Sequence, residues 1–172
     1  MSQQKLRFCL LSFIILLSAC QHNVVNPTKQ TEENNSVDTT SKPLNGQLVH
    51  TATMLVVADI GESVAFYRNK LGFDVREHEA HIALLARDSM LLYLIPESPP
   101  TTDKPSVTLG RTNTSERTSV NLVFRVKDCR AAYAELSKLG VKFLTPPQQP
   151  SWGGWRAFAR DPNGYLIEIE EP

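Results

Sequence analysis

Glu168 lies in the run Tyr165-Leu166-Ile167-Glu168-Ile169-Glu170, where apolar and polar residues alternate as on a strand with one wet face. Tyr165, Ile167 and Ile169 suit a packed side, which leaves Leu166, Glu168 and Glu170 on the other. A second alternating run, Val120 to Val126, puts Leu122, Phe124 and Val126 on its packed side and Asn121, Val123 and Arg125 opposite. A carboxylate in a cleft is costly without a partner, so Arg125 is expected to pair with Glu168 and Asn121 to donate to it. His50 shares a face with Ala52, Met54 and Val56, and His78 and His81 sit in or between later strands. His50, Glu168 and one of these imidazoles form an alternative metal set, against the plainer reading of each His as a rim residue. Trp152-Gly153-Gly154-Trp155 is either a loop whose flat rings cover a planar or cationic ligand, or a turn with one Trp in the core. Cys129 stands in a first helical turn, where the dipole favours a thiolate, but a lone Cys there is more often simply packed. No nucleophile elbow and no Gly-rich phosphate loop is present.

The elements that carry these residues repeat. Thr51–Val57 is β-rich and stops at Asp59, which with Glu62 makes a capping-box pattern. Ile60, Val64, Tyr67 and Leu71 then mark one helix face, and Gly72 ends the helix. Strands are predicted over 73–79, 81–87 and 89–95, the last two joined at Arg87-Asp88-Ser89. The same grammar returns with strand 120–126, cap Asp128, the face Ala132, Tyr133, Leu136 and Leu139, and Gly140. A short strand after Val141, a Pro/Gln loop over 145–151 and a hairpin of 155–160 with 165–171 complete it. The hairpin turn is Asp161-Pro162-Asn163-Gly164, with Pro at the second position of a type I turn.

Two tandem βαβββ modules result, 48–97 and 118–172, joined by a Pro-, Thr- and Ser-rich linker, 98–117. One helix covers one face of each sheet, so the predicted fold is α+β, with curved mixed sheets enclosing a cleft.

Length and charge narrow the rest. With 172 residues, 18 Lys+Arg and 18 Asp+Glu, the chain lacks the basic surplus of a nucleic-acid binder. Lys5 and Arg7 precede the apolar stretch Phe8–Leu17, too short to span a bilayer, which reads as a secretory signal over 1–19. Leu17-Ser18-Ala19-Cys20 resembles the lipobox of bacterial lipoproteins, which implies that Cys20 becomes the first, lipidated residue, carrying an acyl chain such as palmitate. Gln21 in place of Asp implies, by the same resemblance, the outer membrane, with the domain facing the periplasm. Cleavage would leave 16 basic against 18 acidic residues and, after lipidation, Cys129 as the one free thiol, so no intrachain disulfide is expected. Residues 20–47 read as a tether with too few large apolar side chains to fold, spanning roughly 30 Å as a flexible coil.

The paired modules, with strand-Asp-helix-Leu-Gly and the closing Arg160-Asp161-Pro162-Asn163-Gly164-Tyr165-Leu166-Ile167-Glu168, resemble the vicinal oxygen chelate superfamily over about residues 50–171. That group holds glyoxalases, extradiol dioxygenases, fosfomycin-inactivating transferases and bleomycin-binding proteins. Its enzymes place His or Glu ligands for a divalent metal at four equivalent strand positions, which support Lewis-acid chemistry. The resemblance puts those positions at Ala52, at Leu92 or Tyr93, at Asn121 and at Glu168, of which Glu168 alone is a usual ligand.

The reading is a lipid-anchored periplasmic protein that binds a small organic molecule in the cleft between its sheets, with Asn121, Arg125 and Glu168 orienting it and Tyr93 and Trp155 stacking on it. No cofactor is favoured. The alternative is a lyase, isomerase or dioxygenase with Mn, Fe, Ni or Zn on His50 and Glu168, and a further one is an accessory lipoprotein. Whether the modules pair within a chain or between the chains of a homodimer is left open.

Overall fold

A computed structural model describes Leu44 and residues 46–172. The signal segment, the lipidation candidate Cys20 and nearly all of the tether lie outside the described residues.

Strand β1, Thr53–Val57, leads into helix α1, Ile60–Leu71. Asp59 caps α1 by accepting the Glu62 N–H at 2.7 Å, satisfying one of the first-turn donors that a helix leaves unpaired. Gly72 ends it at φ +68, the left-handed conformation that a side chain disfavours. Ile60, Val64, Tyr67 and Leu71 are buried as the periodicity requires, with Ser63 beside them. Strands β2, Asp74–Glu79, β3, Ile82–Arg87, and β4, Met90–Pro96, complete a four-stranded sheet of order β1-β4-β3-β2. The parallel β1–β4 pair has an antiparallel neighbour, β3, on its β4 side only, and the β3–β4 turn holds Asp88 at φ +50, a conformation that Asp tolerates.

The second module repeats this with β5, Asn121–Arg125, α2, Cys129–Lys138, β6, Trp155–Arg160, and β7, Leu166–Glu171. Asp128 accepts from the Arg130 and Ala131 N–H groups at the start of α2. Its sheet has three strands, in order β5-β7-β6. The short strand expected after Val141 is reduced to two isolated bridges, Phe143 with Ala159 and Gln148 with Arg156. Pro146, Pro147 and Pro150 explain the loss, since proline brings no N–H to a ladder.

The two modules share one core, running from Leu55, Tyr67, Leu85 and Leu94 to Leu122, Cys129, Ile167 and Ile169. Phe73 meets Phe124 edge-on across the junction at 6.2 Å. The hairpin turn makes the polar part of that junction. Tyr165 Oη accepts the Val56 N–H at 3.0 Å and donates to the Val56 carbonyl at 3.1 Å, which closes a position on the free edge of β1. Asn163 accepts the Ala58 N–H at 2.7 Å and donates to Ser63 Oγ at 2.9 Å, while Tyr67 Oη donates to Asp161 at 2.9 Å. The faces turned away from the helices stay open: Met54 on the first sheet and Val123 on the second are 52% and 51% exposed.

Candidate functional site

Strand parity and register fix what the open face of the second sheet presents. Ala157, Ala159, Ile167, Ile169 and Leu122 are in the core, so the alternate residues point outward: Arg156 and Phe158 from β6, Glu168 and Glu170 from β7, Asn121, Val123 and Arg125 from β5. Glu168 is central, paired with Val123 on one side and Phe158 on the other. Glu170 is paired with Arg125 and Arg156.

Glu168 is 7% exposed, and both carboxylate oxygens are engaged. Asn121 Nδ2 donates to Oε2 at 2.8 Å, as expected. The cation is not the expected one. Arg156 Nε lies 3.3 Å from Glu168 Oε1, whereas Arg125 reaches Glu170 at 3.2 Å. Arg125 and Arg156 both sit directly opposite Glu170 and diagonal to Glu168; Arg125 contacts Glu170, whereas Arg156 spans both acids through a second contact to Glu170 at 3.2 Å. The signal for Arg156 was present, because a hairpin closed at Arg160 and Leu166 places Arg156 opposite Glu170.

The two tryptophans divide. Trp155 has the parity of Ala157 and Ala159, packs against the core and takes Arg130 over its ring at 4.8 Å, so it lies on the helix side and away from Glu168. Trp152 is the ring on the Glu168 side, 73% exposed and 5.4 Å from the Arg156 guanidinium. Tyr93 faces outward on the first sheet, half-buried, between Met54 and Leu84.

Register also selects among the metal-ligand positions that the resemblance raised. Met54 pairs with Tyr93 as Val123 pairs with Glu168, and Leu92 is fully buried, so Tyr93 and not Leu92 is the counterpart of Glu168. The four equivalent residues are then Ala52, Tyr93, Asn121 and Glu168. His50, His78 and His81 are all exposed, and among the described residues no three His, Cys, Asp or Glu side chains gather as a metal would need. Cys129 is fully buried with Sγ 3.5 Å from the Ile169 carbonyl, and burial pushes its thiol pKa up, ahead of the repulsion from Glu171 and Asp128. The packed reading of this residue holds.

The strongest electrostatic perturbation lies in the junction. Burial raises the Asp161 carboxyl above its ordinary value, opposed by hydrogen bonds from Tyr67 and from the Tyr165 and Asn163 amides. Burial, then the Asp161 charge, drives the Tyr67 phenol far up, and Tyr165 is raised chiefly by burial. Tyr67 and Tyr165 therefore act as neutral hydrogen-bonding groups that tie the modules together.

Comparison with known proteins agrees with this architecture. A model of the Glyoxalase/Bleomycin resistance protein/Dioxygenase superfamily matches residues 47–169. A glyoxalase/bleomycin resistance protein/dioxygenase from Nocardioides is similar at 23% identity and TM-score 0.60, over 76% of this chain and 84% of its own. A lactoylglutathione lyase from Agrobacterium tumefaciens is similar at 18% identity and TM-score 0.57, over 70% and 91%. A glyoxalase-related enzyme from Fulvimarina pelagi shows 20% identity and TM-score 0.57, over 73% and 89%. No curated protein matches the chain. The repeated modules, the junction built on the Asp161–Tyr165 turn and the family match over most of the chain lead to one assignment: this chain belongs to the glyoxalase/bleomycin resistance protein/dioxygenase superfamily.

Proposed function

We propose that this protein binds a small organic molecule on the open face of its second sheet and is carried on the periplasmic side of the outer membrane by a lipid on Cys20. The observation that carries the binding reading is Glu168, a nearly buried carboxylate held by Asn121 and Arg156 in the middle of an otherwise open sheet face. Held in one orientation, it offers a fixed acceptor to a ligand donor, while Trp152 supplies a flat surface beside it. A divalent metal does not fit this donor set. Ala52, Tyr93 and Asn121 are not usual ligands, which leaves Glu168 as the one usual ligand among the four positions. No reaction step through a metal is therefore part of the reading. The lipid anchor rests on Leu17-Ser18-Ala19-Cys20 after a basic and apolar leader.

Full-length protein purified without chelators and offered Mn, Fe, Ni and Zn separately should retain no stoichiometric metal. A thermal-shift screen of aromatic and cationic compounds should return hits that Glu168→Ala weakens. Stoichiometric metal lost in both Glu168→Ala and His50→Ala would overturn the reading in favour of the enzyme. Cys20→Ser should move the protein from the membrane to the soluble fraction; persistence in the membrane would refute the anchor.

A further inference from the structure

Apart from Arg125, none of the residues expected to bind a ligand lines a groove that opens beside the second sheet. This groove, about 530 Å³, lies between the last turn of α1, the β3–β4 turn, the end of β5 and helix α2. Its volume is in the range that holds a small organic ligand. Met90, Phe124, Leu136 and Leu139 give it an apolar lining, and Leu139 is 42% exposed.

Its charged lining is mostly basic. Lys70 Nζ donates to the Leu139 carbonyl and Arg87 to the Leu71 carbonyl, which places one cation at the C-terminal end of each helix. Bare carbonyl ends would repel an anion; these side chains reverse the local sign. A carbonyl satisfies one donor without removing the charge, so Lys70 keeps N–H groups for a ligand, while Arg87 also faces the Asp88 carboxylate at 3.9 Å. Arg68, on the exposed side of α1, adds a third cation against Asp88 and Glu135. Backbone donors are present too. β5 is an edge strand, and the Val126 N–H points inward to the Glu170 carbonyl, so the alternate Arg125 N–H points away from β7.

We propose that this groove is a binding site for a compact organic anion, a carboxylate carrying an aromatic or alkyl body. The body lies over Phe124, Leu136 and Leu139, and the carboxylate takes donors from Arg68, Lys70 and the β5 edge. The site is separate from the Glu168 face, although Arg125 stands between the two.

Naphthalene-1-carboxylate, titrated calorimetrically into the full-length protein, is the probe, with naphthalene-1-carboxamide as its uncharged counterpart. Saturable binding of the acid is expected, about two- to fivefold tighter than the amide, the scale of one exposed charge contact. Arg68→Ala should weaken the acid by about fivefold, Leu139→Glu should abolish its binding, and Glu168→Gln should leave it unchanged. Both groove positions are exposed enough for the fold to persist, which the far-ultraviolet melting curve checks. Equal binding of acid and amide, or full binding by folded Leu139→Glu, would overturn the proposal. Loss in Glu168→Gln with retention in Leu139→Glu would move the anion to the sheet face and overturn it as well. Failure of the Glu168 reading alone leaves these outcomes unaffected.

Discussion

Tyr67→Phe should destabilise this protein at neutral pH and much less in acid. The phenol is fully buried and donates at 2.9 Å to Asp161, whose other oxygen already accepts the Asn163 and Tyr165 amides at 2.8 Å. Removing the hydroxyl leaves one oxygen of a buried carboxylate without that partner, while the ring keeps its packing against Phe66 and Phe73. A hydrogen bond to a charged group contributes about 1.5–3 kcal/mol, so a loss of about 2 kcal/mol is expected at pH 7. The sign of the pH dependence follows from burial. Asp161 titrates above its ordinary value of 3.8, so its contribution to stability is fully present below the unfolded value and is lost as pH rises through the raised folded one. The Tyr67 bond opposes that rise, so Tyr67→Phe moves the folded titration further up, and the loss continues to higher pH than in the parent. The two proteins therefore diverge toward neutrality and converge as pH falls below the unfolded value of 3.8. Urea unfolding of both at about pH 7 and about pH 3.5, read as the difference in midpoint times slope, measures this. A loss below about 0.5 kcal/mol at pH 7, or the same loss at both pH values, would show that the bond does not carry the charge as argued.

Four other tests separate structural from exposed contacts. Arg156→Ala should cost about 2–3 kcal/mol in urea unfolding, because it strips a nearly buried Glu168 of its cation, and adding Glu168→Gln should recover part of the loss. Arg125→Ala should cost under about 0.5 kcal/mol, since its side chain is 68% exposed. Gly154→Ala should lower the melting temperature by several degrees, because its Cβ would stand 2.4 Å from the Glu171 carbonyl at φ +70, whereas nothing lies near a Cβ at Gly153. Cys129 should react with a maleimide far more slowly in native protein than in urea, its thiol being buried and its pKa raised.

What the sequence could reveal depended on how far apart the cooperating residues are. Asp59, Gly72 and Asp128 act on amides or turns within a few residues, so their types predict their roles. Strand faces follow from a period of two and required no tertiary information: Leu122 and Ile167 in, Asn121 and Glu168 out. The Arg partner of Glu168 required more, because Arg125 and Arg156 flank β7 from opposite sides and alternation places both outward. The register does not decide it either, since Arg125 and Arg156 each stand opposite Glu170 and diagonal to Glu168; the side-chain contacts do, with Arg156 reaching Glu168 and Arg125 reaching Glu170. Leu92 against Tyr93, by contrast, is settled by the parallel pairing of β4 with β1.

The groove was illegible for a different reason. Lys70 meets Leu139 and Arg87 meets Leu71 through backbone carbonyls, which carry no sequence signature. Its lining comes from both modules, and the first module read by itself leaves Lys70, whose partner Leu139 is in the second, looking like a solvated surface charge. The motif around Asp161 shows the converse. Its Asp, Asn and Tyr have the polarity of a ligand site, yet each spends its hydrogen bonds on Tyr67, Ser63, Ala58 or Val56 of the first module. The most recognisable stretch of the sequence is thus the joint between the modules. The residues proposed to meet a ligand lie on either side of it, Glu168 with Asn121 and Arg156 on the sheet and the cations at the helix ends.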